Sequence, residues 1–154
     1  MIKAIFLTAL IALSSAQFLR RETTQLFTID DLINFQGVPI SHTNCGAESD
    51  PIKVSGVTVG ATPTKGGANS ITIAGTVSGH LELKEADLKV LLNGSPLHTE
   101  TIPKTDVYDD GDAFNFNYSV SVPSFAPSGK YDVSFTFKKT DGSNAGCTDV
   151  TFNL

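Results

Sequence analysis

The sequence predicts an all-β fold, an immunoglobulin-like antiparallel sandwich of about seven strands. Three observations carry this. From Pro51 onward apolar residues recur at every second position in short runs, the runs are separated by Gly, Pro, Asn and Asp, and an Asn-Gly pair stands between two of them. A period of two sends alternate side chains to opposite faces of a strand. Each run then has one face to bury, and two stacked sheets bury it.

The chain begins differently. Lys3 supplies a positive start, Ala4 to Leu13 a mostly apolar stretch, and Ser14-Ser15-Ala16 a small-residue cleavage site, so residues 1–16 read as a signal peptide. The apolar stretch is about half the roughly 20 residues a spanning helix needs, and no later window is as continuously apolar. An exported protein without a membrane anchor is expected, secreted or held in the lumen of an endosomal or lysosomal compartment. Residues 17–41 carry Arg20-Arg21-Glu22 and then Leu26, Ile29, Leu32 and Ile33 at three- and four-residue spacing. They fit a short amphipathic helix, and equally a loose extension or a pro-segment cut near the arginine pair. The sandwich itself is expected over residues 42–154.

The predicted strands are Ile52 to Val59, Ser70 to Val77, Leu88 to Leu92, Leu97 to Ile102, Ala113 to Val122, Tyr131 to Lys138 and Thr148 to Leu154. The clearest alternation sets Phe114, Phe116, Tyr118, Val120 and Val122 against Asn115, Asn117, Ser119 and Ser121. Tyr131, Val133, Phe135 and Phe137 repeat it. Asn93-Gly94 suits a two-residue hairpin turn, which needs positive φ at both positions, and pairs the third run with the fourth. Asn93-Gly94-Ser95 and Asn117-Tyr118-Ser119 are also glycosylation acceptors on positions assigned to solvent, although a plain turn and a plain strand explain both.

Charge and motif content exclude several functions. A formal net charge of -5, one unit more negative once Lys3 is removed, makes nucleic acid an unsuitable partner. His42, His80 and His98 lack metal-ligand spacing, and no His-Glu-x-x-His, Gly-x-Ser-x-Gly or phosphate-cradling glycine loop is present. Asp106, Asp109, Asp110 and Asp112 form an acidic stretch without the glutamate that completes a calcium loop, so a solvated hairpin is expected. No catalytic site, metal or cofactor is predicted. Cys45 and Cys147, the two cysteines, lie in the exported part, and an oxidising lumen predicts one disulfide between them. Closing a loop of about 100 residues is worth roughly 4–5 kcal/mol in the chain-entropy model. Free or metal-bound thiols are the competing reading, disfavoured by export and by the long spacing.

The aromatic load is the unusual feature. Phe114, Phe116, Tyr118, Tyr131, Phe135 and Phe137 all fall on inward positions within one short stretch, with Phe125 in the turn between. Composition alone favours a filled core over a ligand cavity.

Taken in order, Asn44-Cys45-Gly46, Asp50-Pro51-Ile52-Lys53-Val54, Gly66, Ile71-Thr72-Ile73-Ala74-Gly75-Thr76-Val77, Val122-Pro123, Pro127-Ser128-Gly129-Lys130-Tyr131-Asp132-Val133 and Cys147 closely resemble the ML lipid-recognition family, over residues 41–154. That family includes the Niemann-Pick type C sterol carrier and phosphatidylglycerol/phosphatidylinositol transfer proteins. The resemblance implies a sandwich whose sheets splay at one end to admit a lipid tail, with a disulfide between Cys45 and Cys147. Two further disulfides of the sterol carriers are missing, one where Thr62-Pro63-Thr64 stands and one in the loop from Thr105 to Asp112.

On that resemblance, Ile73, Val90, Phe114, Phe116, Tyr118, Val133, Phe135 and Phe152 are expected to supply apolar wall, while Leu97, Ile102, Val107 and Tyr108 border the entrance. The expected function is that of a secreted, monomeric, non-enzymatic carrier of a sterol, phospholipid or glycolipid, making transient contact with membranes. Two other readings share the sequence: an accessory protein that presents lipid to a hydrolase or receptor, and an immunoglobulin-like structural module with a solid core and no ligand.

Overall fold

Alternation of the kind read above becomes two antiparallel sheets in the computed structural model, which describes residues 38–154. The expected signal peptide (1–16) and the stretch holding Leu26, Ile29, Leu32 and Ile33 lie outside the described residues. The strands are β1 (Val38–Pro39), β2 (His42–Asn44), β3 (Ile52–Val59), β4 (Ala68–Val77), β5 (Leu81–Leu92), β6 (Ser95–Tyr108), β7 (Ala113–Ser121), β8 (Lys130–Lys139) and β9 (Asn144–Asn153). One sheet has the order β1-β3-β4-β7 and the other β2-β9-β8-β5-β6. Among the described residues there is no helix.

Differences from the sequence reading have local causes. β5 starts at Leu81 rather than Leu88 because the register shifts between Leu83 and Glu85, which puts Leu81 and Leu83 out of phase with Ala86 and Leu88 and hides the alternation. β6 runs on to Tyr108 rather than stopping at Ile102. It is an edge strand whose core-facing side carries Lys104 and Asp106 where an apolar pattern would be sought. β1 and β2 are too short to show a period, and β1 pairs with β3 through Val38↔Val59, so the folded unit starts ahead of residue 42.

Asn93 and Gly94 adopt φ of 50° and 82°, and Leu92 pairs with Ser95, which is the two-residue turn expected of Asn-Gly. Cys45 and Cys147 are disulfide-bonded across a separation of 102 residues. The Asn44-Cys45-Gly46 motif has a physical reading here: Asn44 Nδ2 donates to the Val54 carbonyl of the opposite sheet at 3.1 Å. A side chain at position 46 would collide with Asp50 Oδ2 and the Cys147 backbone nitrogen.

The core is filled at one end. Phe114, Phe116, Phe135 and Phe137 are buried, and the rings of 114 and 137, 116 and 137, and 116 and 135 meet edge to face at 4.9, 5.2 and 5.8 Å. Ile73, Ala86 and Ala145, each fully buried, fill the space around the rings.

Candidate ligand cavity

Past Phe116 and Phe135 the inward positions continue, with valines now interspersed among the aromatics. β7 offers Tyr118 and Val120, β8 Val133 and Tyr131, β5 Val90, and β9 Val150 and Phe152. Here Val90, Val133 and Val150, neighbours on one sheet, do not reach far enough to fill the space between the sheets as the interlocked phenylalanines do. The result is a cavity of about 490 Å³ between the sheets, within the ~300–1,000 Å³ range of small-molecule sites.

Two loops cover this end. Gly66 N donates to the Val122 carbonyl and Val122 N to the Gly67 carbonyl, both at 2.9 Å, which ties loop 60–67 to loop 122–129. Tyr131 Oη donates to the Pro127 carbonyl at 2.8 Å. The second loop is thereby held at both ends, and Phe125 near its middle stays 86% exposed while still bordering the cavity.

Five of the residues expected at the ligand site line this cavity: Val90, Leu97, Tyr118, Val133 and Phe152. The other seven stand elsewhere. Ile73, Phe114, Phe116 and Phe135 belong to the filled end, and Ile102 packs partly buried against it. Val107 is 67% exposed, paired with Glu82 on the outer face of its sheet. Tyr108 packs on Phe114 at 5.8 Å. The entrance expected beside residues 105–112 therefore lies at the opposite end from the cavity, since β7 gives Phe114 and Phe116 to the filled end and Tyr118 and Val120 to the cavity.

The reading of the residues did not single out Ile71, Asn69, His98, Phe125 or Val150 as site residues, yet all border the cavity. Val120 and Tyr131 stood on inward alternations, so their signal was legible; Asn69 precedes the run that was read as a strand. His98 reaches the cavity beside Leu97 because the register shifts between Val90 and Leu91, leaving Leu97 as the extra residue.

Polar groups at the cavity are few. Among the described residues, no Asp, Glu, Lys or Arg side chain lines it. Asn69 is 8% exposed, and its Oδ1 has no hydrogen-bond partner among the described residues. Tyr118 Oη donates to Glu100 Oε2 at 2.8 Å, and His98 Nε2 lies 3.6 Å from the same oxygen. Burial, and then the bond to Glu100, push the Tyr118 hydroxyl up to about 12, so it remains a protonated donor. At the far end Tyr108 is likewise pushed up to about 12 by burial and by its bond to Asp106. The acidic stretch is a solvated turn: Asp109 N donates to Asp112 Oδ2 at 2.7 Å, and Gly79 N to Asp110 Oδ1 at 2.7 Å.

Comparison with known proteins places this geometry. The chain resembles a Niemann-Pick type C2 protein from Japanese carpenter ant, at 12% identity and a TM-score of 0.57, over 73% of this chain and 98% of that one. It resembles chicken MD-1 complexed with lipid IVa at 10% identity and a TM-score of 0.52, over 76% and 96%. The C-terminal domain of wzt is similar at 13% identity and a TM-score of 0.55, over 77% and 78%. At these identities the likeness is one of fold. No curated protein matches the sequence. The family model described as the ML domain matches residues 39–154, and the chain belongs to the ML domain family.

Proposed function

We propose that this protein binds a lipid between its sheets and carries it, as a non-enzymatic transfer protein for a sterol, phospholipid or glycolipid. The observation that carries the reading is the apolar cavity of about 490 Å³, free of charged lining side chains among the described residues, at one end of a sandwich whose other end is filled. Each methylene withdrawn from water favours binding by about 0.8 kcal/mol, so a tail of about sixteen carbons gives on the order of 12 kcal/mol before immobilisation costs. Exchange with a bilayer is nearly neutral, since the tail is dry in both places. That balance suits a carrier.

Membrane contact and export belong to the same proposal. Phe125 and Leu97, 86% and 51% exposed, border the cavity, and an exposed aromatic beside an apolar opening suits transient insertion among lipid headgroups. A monomer is favoured because edge strand β6 turns His98, Glu100, Lys104 and Asp106 toward the core side, which discourages edge-to-edge pairing. Secretion, or retention in an acidic lumen, rests on the signal peptide read in residues 1–16. Asn93 and Asn117 are both exposed, as glycan attachment requires.

Native mass spectrometry of protein purified from its secretory source without detergent tests the reading. A co-purified lipid, or stoichiometric uptake of a fluorescent lipid from vesicles, is expected. Protein that is folded, empty and unable to take up any lipid would overturn it.

A further inference from the structure

We infer that Asn69 and Glu100 make the cavity selective for a lipid whose polar end is an uncharged hydroxyl, against lipids that end in an anion. The inference rests on the lipid-binding reading and narrows it. Asn69 lies at the start of β4 opposite Val120, and Tyr118 stands two residues before Val120 on β7, so both polar side chains share one wall of the cavity. A buried amide with an unpaired oxygen is destabilising, and a ligand group that completes its bonding recovers that cost. A hydroxyl can do so with either edge of the amide, because it both donates and accepts.

Charge points the same way. Glu100 faces inward, opposite Leu88, and is bonded directly to a side chain that lines the cavity. Its carboxylate, 45% exposed behind Tyr118, repels an anionic head placed beside the Tyr118 hydroxyl, an effect that added salt weakens. Lys65, on the covering loop, lies outside the lining and donates to Ser128 Oγ at 2.7 Å. His98 lies beside Glu100, its Nε2 3.6 Å from that carboxylate. With Tyr118 held protonated, the described cavity offers phenol, amide and imidazole, and behind them a negative charge.

Displacement of the uncharged probe N-phenylnaphthylamine by dodecanol and by dodecanoate, which share one chain length, tests this at neutral pH. Wild type should bind dodecanol at least about tenfold more tightly, and Glu100→Gln should shrink that ratio about tenfold by strengthening dodecanoate, each tenfold being about 1.4 kcal/mol. Asn69→Leu should weaken dodecanol several-fold without lowering the unfolding midpoint. An unchanged ratio in Glu100→Gln together with unchanged dodecanol binding in Asn69→Leu would overturn the selectivity while leaving lipid binding intact. Failure of wild type to take up the probe or either ligand would overturn the lipid-binding reading, and the selectivity with it.

Discussion

Replacing Phe116 by Ala should reveal that one end of the sandwich is solid. Phe116 is 2% exposed, and its ring meets Phe137 at 5.2 Å and Phe135 at 5.8 Å. Truncating a buried phenylalanine costs about 3–5 kcal/mol, from lost transfer energy and from the void left behind. Against the ~5–15 kcal/mol stability of an ordinary domain this is a large fraction. With a urea m-value of about 2 kcal/mol/M, a loss of about 4 kcal/mol lowers the unfolding midpoint by about 2 M. Phe152 is the matched control. It stacks on Tyr131 at 5.6 Å, is half-buried and borders the cavity, so its removal forfeits packing on one side only. Phe152→Ala should therefore cost less than half as much. Urea titrations of the two variants, followed by circular dichroism, make the comparison. A loss below about 1 kcal/mol for Phe116→Ala, or equal losses for both, would refute the division into a filled end and a hollow one.

Other outcomes follow from the same geometry. The double variant Cys45→Ser/Cys147→Ser should lose roughly 4–5 kcal/mol, read as a lower thermal midpoint, because the bond closes a loop of 102 residues. Gly94→Val, at φ 82°, should cost about 1–2 kcal/mol in thermal denaturation, since an L side chain is strained in the left-handed region. Phe125→Ser should slow lipid transfer from vesicles while leaving the equilibrium affinity for a soluble fluorescent lipid unchanged, because Phe125 is 86% exposed at the cavity edge. His80 is raised above 6.5, chiefly by its bond to Asp109 at 2.9 Å. A raised folded-state value gives stability that is fully present below the unfolded value and lost as pH climbs through the folded one. The stability gap between wild type and His80→Gln should thus be larger at about pH 5 than at about pH 8, measured by thermal denaturation.

Much of the fold was legible because a two-residue period is a local property. Ile52–Val59 was readable to the residue, and β7 and β8 nearly so, since each alternates without a break. Where a register shift interrupts the pattern, as between Leu83 and Glu85, the early part of β5 could not be seen. Where the core-facing side of an edge strand is polar, as at Lys104 and Asp106, the end of β6 could not be seen either.

The site was less legible than the fold, for a reason of geometry. Alternation says that Phe116, Tyr118, Val120, Val133 and Phe135 all point inward, and a solid core and a hollow one present the same pattern. By itself the sequence determined the all-β class, the inward faces, the Asn-Gly turn and the two cysteines available to pair. Only the packing of β7 over β8 and β5 decided where the phenylalanine rings interlock and where space is left between the sheets. That difference in packing, a property of residues distant in the chain, puts the cavity beside Tyr118 and Val133 rather than beside Tyr108.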